Sequence, residues 1–200
     1  IDYAASMHQL QAMQKINEQF LFEKLISSFD QHVEDDHVDF YVERNIPFML
    51  SRQGPKAATA DVNADGLSDI YIGGARQQAG QLYLQTSNGF VKKETPDFKT
   101  YSFNDVTVAF FFDCDRDGDQ DLFTGAGGNF ASESSGSYQN QLFINDGKGN
   151  FALKRGALPI INTNCGAALP LDYDGDGALD LFIGSRSVPQ SYGDDPHSFI

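Results

Sequence analysis

Three stretches of this chain follow one pattern without a gap. They are "AATADVNADGLSDIYIGG" from Ala57, "AFFFDCDRDGDQDLFTGA" from Ala109 and "ALPLDYDGDGALDLFIGS" from Ala168. Each reads D-x-[DN]-x-D-G-x-x-D, then three largely apolar residues and a glycine, which is Gly73, Gly125 or Gly184. Self-similarity of this kind marks a repeat architecture, in which each copy is one supersecondary unit that buries its apolar face against its neighbours. A lone acidic turn needs no explanation beyond solvation. Three in-register copies with the same apolar flanks do.

A second element follows each loop. "QLYLQTSNGF" (81–90) matches "QLFINDGKGNF" (141–151), and both read as a strand, a Gly/Asn turn and a returning strand. Each copy therefore predicts strand, acidic loop, strand, variable connection, strand, turn, strand. Four short strands per ~50 residues is the unit of a β-propeller blade, and propellers close with ~4–8 blades. The fold class expected is all-β: about three Ca²⁺-binding blades, an incomplete ring, and a short N-terminal helix. The organisation expected is an N-terminal helix and acidic connection over 1–40, then repeats over 41–100, 101–160 and 161–200. The third is cut short at "HSFI" (197–200), where a strand matching "NQLFI" is due, and the chain begins at Ile1 rather than Met. Both features lead us to expect a fragment. The remaining blades would come from the rest of a longer chain or from another chain.

The loop spacing carries chemistry. Side chains at loop positions 1, 3 and 5 converge when the loop curls, Gly at position 6 permits the bend, position 7 offers its carbonyl, and position 9 adds a carboxylate. Hard oxygen donors in this number suit Ca²⁺, which takes 6–8 oxygens; Mg²⁺ demands a stricter octahedron, and thiolate- or imidazole-seeking metals do not fit. The expected ligand sets are Asp61, Asn63, Asp65, Asp69 and the Leu67 carbonyl; Asp113, Asp115, Asp117, Asp121 and the Asp119 carbonyl; and Asp172, Asp174, Asp176, Asp180 and the Ala178 carbonyl. This is not an EF-hand, which needs Glu at position 12 and flanking helices; position 12 here is Ile72, Thr124 or Ile183. The expected cofactor is about three structural Ca²⁺ ions.

Charge excludes other classes. With 14 basic against 28 acidic residues the formal net charge is −14, wrong for neutralising nucleic-acid phosphates or docking on an anionic membrane. No apolar run approaches the ~20 residues of a membrane helix. The two cysteines, Cys114 and Cys165, permit one internal disulfide at most and form no metal-ligand spacing, and sequence alone does not place their Cα atoms within bridging range.

At these residues the chain resembles FG-GAP/VCBS repeats, the Ca²⁺-loop blades of integrin α-like propellers. The resemblance covers about residues 45–200, and "LFINDGKGNF" looks like the family's closing hairpin. A closer resemblance, carried by "HVEDDHVDF", by "IPFMLSRQGPKAATADVNADGLSDIYIGGARQQAGQLYLQ" and by "SRSVPQSYGDDPHSF", is to large VCBS-repeat proteins of Bacteroidetes related to the acidic cartilage protein family. It implies a Ca²⁺-bound propeller of about seven blades, exported, often a surface lipoprotein beside polysaccharide-uptake systems, with no known catalytic centre. The chain departs from the pattern in three places: Asn63 stands for an Asp, Cys114 is unusual in an exported Ca²⁺ loop, and the FG dipeptide itself is absent.

The rest of the chain is less specific. Met7, Leu10, Met13, Ile16 and Phe20 lie at helical spacing and predict an amphipathic helix over 3–20 that packs on the propeller. "DQHVEDDHVDF" (30–40), with His32, Glu34, Asp35, Asp36, His37 and Asp39, reads as a solvated acidic connection rather than a second metal site. "GNFASESSGSYQN" (128–140) reads as a polar, flexible loop without an apolar anchor. No G-x-S-x-G elbow, Walker loop or H-E-x-x-H occurs. The functional expectation is a non-catalytic, extracytoplasmic module, secreted or at the cell surface, binding protein or glycan. The competing expectation is a polysaccharide lyase-like enzyme on the same scaffold. That enzyme would need basic residues gathered on one face, drawn from Arg44, Arg52, Arg76, Arg186, Lys92, Lys93 and Lys154.

Overall fold

The structure is a computed structural model and describes Lys24 and residues 27–200. The helix expected over 3–20 lies outside the described residues. The first repeat forms an antiparallel meander of β1 (Ala57–Ala60), β2 (Asp69–Ile72), β3 (Gln81–Thr86) and β4 (Gly89–Lys93), hydrogen-bonded in that order. The second forms the same sheet from β5 (Asp105–Phe112), β6 (Asp121–Gly127), β7 (Gln141–Asn145) and β8 (Phe151–Leu153). In the third, β9 (Asn164–Leu171) pairs with β10 (Asp180–Ser187). Phe199 then returns along β10 and exchanges two backbone hydrogen bonds of 2.9 Å with Ile183. It takes the ladder position that Gln81 holds opposite Ile72 and Gln141 holds opposite Thr124. The chain is thus nearly all-β, its antiparallel sheets are consistent with propeller blades and are called blades below, and no closed ring forms among the described residues.

The blades pack through their first strands, β1 on β5 and β5 on β9. The repeated glycine explains how closely. A Cβ on Gly73 would lie 2.7 Å from Val106 in the next blade, and one on Gly125 would lie 2.5 Å from the Cys165 sulfur. Gly184 in the last copy meets no following blade, and its nearest neighbours are Phe182 and the Ala167 carbonyl. The glycine is therefore set by interblade distance rather than by backbone twist.

Between the first two blades Val62, Tyr71, Leu82, Phe98, Leu122, Phe143 and Phe151 form one core. Between the second and third, Phe112, Phe123, Ile161, Cys165 and Ile183 form another. Strand β6, which lies between the two, is buried at every position, so apart from Asp121 at its start and Thr124 its residues are apolar or glycine on both faces rather than alternating. A short helix, α1 (Pro96–Thr100), joins blades one and two; Pro96 occupies its first turn and Phe98 its buried face. Cys114 and Cys165 are free thiols, and burial pushes both up to about 12, far from thiolate chemistry at neutral pH.

Two segments differ from expectation. The acidic connection is an ordered strap, not a solvated linker. Asp39 is fully buried and accepts hydrogen bonds from the backbone N–H groups of Leu50 and Ser51 and from the Ser51 hydroxyl. Asp35 pairs with Arg76, and hydrogen bonding and charge from its neighbours outweigh the burial that pushes its carboxyl up, so it titrates below the usual range. Glu43 accepts from the Asn129 side chain at 2.7 Å and from the Tyr192 N–H at 2.6 Å, tying the strap to blades two and three. The 128–140 loop likewise has anchors. Asn129 and Tyr138 are fully buried, and the Tyr138 hydroxyl donates to the Ala131 carbonyl and accepts from its N–H. Composition predicted solvation in both segments. Paired donors and acceptors make burial tolerable instead.

Candidate functional site

The three acidic loops connect β1 to β2, β5 to β6 and β9 to β10 at the same end of their hairpins. Each is built on the same hydrogen bonds. The position-1 carboxylate accepts from the N–H of the position-6 glycine: Gly66 to Asp61 at 2.8 Å, Gly118 to Asp113 at 3.1 Å, Gly177 to Asp172 at 3.0 Å. The position-5 carboxylate accepts from position 7: Leu67 to Asp65, Asp119 to Asp117, Ala178 to Asp176, at 2.6–2.9 Å. The position-9 carboxylate accepts from position 2: Val62 to Asp69, Cys114 to Asp121, Tyr173 to Asp180, at 3.0–3.1 Å. Self-capping of this kind is what Asp does in turns, and it presets the curl that brings positions 1, 3 and 5 together.

Two backbone positions make the curl. Position 6 is Gly with φ of 84°, 93° and 82°. Position 4 is also left-handed, at Ala64 (58°), Arg116 (66°) and Gly175 (77°). The glycine was legible in the sequence. The second left-handed residue was not, because Ala64 and Arg116 hold a conformation that costs a non-glycine residue energy. Gly175 in the third copy was the available signal.

Among the described residues, two groups bring three carboxylate oxygens within 4.8 Å of one another: Asp113, Asp115 and Asp117, and Asp172, Asp174 and Asp176. In the first loop Asn63 stands at position 3, between Asp61 and Asp65. Its amide donates to Asp65 at 3.0 Å and its side-chain oxygen accepts from the Asp65 N–H at 3.1 Å. An amide thus does internally part of what a cation would do in the other two loops. Hydrogen bonding, led by the Gly66 N–H, holds the Asp61 carboxyl below its ordinary value. Asp115 is pushed the other way, by desolvation first and then by Asp117, Asp121 and Asp113. The second loop therefore concentrates uncompensated negative charge at one point, and its all-oxygen donor set fits a hard divalent cation.

Position 9, expected from the sequence as a further ligand, has hydrogen-bonding partners of its own. Asp69 and Asp121 are fully buried, and the second oxygen of each accepts from the third strand of its own blade, Gln85 to Asp69 and Asn145 to Asp121, both 2.8 Å. Asp69 and Asp121 thus lock loop to blade, whether or not an ion is also held. Asp180 keeps the loop bond only. The position-7 side chains differ. Leu67 and Ala178 leave the turn open, while the Asp119 carboxylate lies against Gly147 of the β7–β8 turn, where an added Cβ would meet it at 2.5 Å.

Asn145, at the end of β7, is a linking position that the sequence reading did not single out. Its side-chain amide donates to the carbonyls of Val62 in the first loop, at 2.8 Å, and Gln120 in the second, at 3.2 Å. Its oxygen accepts from the Gly149 N–H at 3.0 Å. One buried amide therefore joins two acidic loops across the interblade boundary. The signal in sequence was the Asn in "FINDG", which has no counterpart among apolar strand residues.

No curated protein matches the chain. The FG-GAP-like repeat family matches residues 61–124 and again 113–183, so that each match starts at the first Asp of one loop and runs into the β-strand after the next. Together the matches span more than half of the chain, and the geometry they cover is the repeated loop-and-meander just described: the chain belongs to the FG-GAP-like repeat family.

Proposed function

We propose that this chain is a section of a Ca²⁺-stabilised, extracytoplasmic propeller that binds protein or glycan and performs no catalysis. The observation that carries the reading is the hydrogen-bond skeleton that the three loops share, with three carboxylates gathered at one point in the second and third of them. A bound Ca²⁺ would supply positive charge there and cross-link the two strands that each loop joins. Asp113, Asp115, Asp117 and the Asp119 carbonyl would hold it in the second loop, and Asp172, Asp174, Asp176 and the Ala178 carbonyl in the third. Asp61, Asp65, the Asn63 oxygen and the Leu67 carbonyl would do so in the first. Asp69, Asp121 and Asp180 would steady these sets from below. Three ions would remove six of the fourteen net negative charges.

Repeats of this family are often adhesion or binding modules outside the cell, which supports the binding role and a secreted or surface location. The resemblance to surface VCBS-repeat proteins of Bacteroidetes, with a ring of about seven blades, belongs to the same reading. Three of the cations that a lyase would draw on already have partners. Arg76 is engaged by Asp35, Lys92 by Asp30, and Arg186 lies over Phe48, so these three are not held ready on a common face. The experiment is to incubate the Ca²⁺-loaded protein with a panel of acidic polysaccharides and surface proteins, measuring capture and product together. Capture without new reducing or unsaturated ends, lost on chelation, supports the reading. Product formation would replace it with the lyase.

A further inference from the structure

The cleft of about 570 Å³ beside blade two lies away from the acidic loops. It is formed by the α1–β5 connection, the end of the 128–140 loop, and the chain leaving β8. Its size suits a ligand of a few sugar rings or smaller. Tyr101 and Phe103 meet edge-to-face at its rim, 6.2 Å between centroids, and Phe103 is 59 % exposed. The Arg155 guanidinium lies 5.3 Å from the Tyr101 ring centre and donates to its hydroxyl. Lys154 lines the same wall. Among the described residues neither cation pairs with a carboxylate, and no carboxylate lines the cleft. In a chain of net charge −14 that is a local reversal of sign.

A second, independent observation lies in the same wall. Asn104 and Asn140 are only 7 % and 8 % exposed, yet each leaves one polar atom unpaired, the Asn104 side-chain oxygen and the Asn140 side-chain nitrogen. Their other atoms are used: Asn104 donates to the Gln139 carbonyl, and Asn140 accepts from the Ala126 N–H. Both unpaired atoms are shut off from solvent, so they make the wall behind the cleft polar without themselves being presented to it.

From this combination we infer that the cleft is a subsite for an anionic glycan. A pyranose offers apolar C–H faces to the Tyr101 and Phe103 rings. Its hydroxyls both donate and accept, which suits a wall lined by the Ser137 hydroxyl and the Gln139 and Gln141 amides. A carboxylate or sulfate on the sugar meets Arg155 and Lys154. An acidic peptide such as poly-glutamate brings carboxylates for Arg155 and Lys154 but no pyranose face for the Tyr101 and Phe103 rings. The inference rests on the binding role proposed above and names its ligand class and site.

The test is titration calorimetry of the Ca²⁺-loaded chain with oligogalacturonate and heparin oligosaccharides, against neutral dextran oligosaccharides and poly-glutamate. Wild type binds at least one anionic glycan and binds the two controls at least tenfold more weakly. Phe103→Ala and Arg155→Gln each weaken that binding tenfold or more, with unchanged melting curves showing that both variants fold. Glycan binding that both variants retain overturns the cleft assignment while leaving the binding role standing. Equal binding of dextran or poly-glutamate overturns the ligand class. Absence of binding to every glycan overturns the inference, and the binding role then stands or falls on the surface-protein arm of its own test.

Discussion

Replacing Asp121 by Ala strips two backbone donors of their acceptor at once. The Cys114 N–H, 3.1 Å from one oxygen, belongs to the acidic loop; the Asn145 N–H, 2.8 Å from the other, belongs to the third strand of the blade. The carboxylate is fully buried, so water does not take its place without opening the blade. Leaving a buried donor unpaired costs ~1–3 kcal/mol, which puts the total at ~2–6 kcal/mol, a large share of the ~5–15 kcal/mol that holds a typical domain together. Urea denaturation followed by circular dichroism reads this directly: with a slope of ~2 kcal/mol/M the midpoint falls by ~1–3 M. Two controls sharpen it. Asp121→Asn keeps one acceptor and falls between wild type and Ala. Asp119→Ala, two residues away, removes a carboxylate that accepts no hydrogen bond and leaves the midpoint unchanged. The loss at Asp121 is larger with Ca²⁺ than without, because in the ion-free loop Ala also relieves repulsion from Asp113, Asp115 and Asp117. A drop in stability below ~1 kcal/mol for Asp121→Ala, the size of an ordinary surface change, would refute the claim that position 9 is the lock between loop and blade.

Gly125→Ala drives a methyl into Cys165 of the next blade, at 2.5 Å from its sulfur, and costs ~1–3 kcal/mol by overpacking; Gly184→Ala, with nothing nearer than the Phe182 ring at 3.3 Å, leaves the thermal midpoint within a degree or two. Asp105 makes stability depend on pH. Burial, reinforced by Glu34 and Asp35, raises its carboxyl from 3.8 to about 7, and one of its oxygens has no partner. Below pH 4 both folded and unfolded chains hold the proton. Between pH 4 and 7 only the folded chain does, so stability falls as pH rises through this window, and the loss is complete above pH 7. The full shift, discounted for the partial exposure of the residue, corresponds to ~2 kcal/mol. Melting curves at pH 5 and pH 8 test it: Asp105→Asn narrows the gap between them, and an equal gap in both proteins would exclude Asp105 as its source.

The repeat itself was readable from sequence because its causes are local. A curled loop needs Asp at alternating positions and Gly at the bend, and the flanking apolar runs can only be strands, so "DCDRDGDQDLF" fixes both loop and hairpin. What escaped was set by partners outside the repeated motif, some near in the chain and some far. Asp39 looks like any acidic linker residue until Leu50 and Ser51 fold over it, and Tyr138 looks like part of a polar loop until it packs on Phe130 and bonds Ala131. Asn145 reads as a turn former, yet its amide reaches the carbonyl of Val62 in the neighbouring blade. The position-7 residues show the limit within the motif: Asp119 and Leu67 share a register, and only the packing of the β7–β8 turn distinguishes them.

The central claim is that the loops are cation sites whose occupancy holds the blades together. Its most direct test is the melting temperature of one sample with Ca²⁺ in excess, after chelation, and after Ca²⁺ is restored, with bound metal counted at each stage. Occupied sites at a hundredfold excess over their dissociation constants contribute ~2.7 kcal/mol each, which for a chain of this size shifts the midpoint by more than ~10 °C in total. The account predicts about three ions bound, a drop of that order on chelation, and full recovery. A melting curve that chelator leaves unchanged, with no ion retained by the protein, would contradict it.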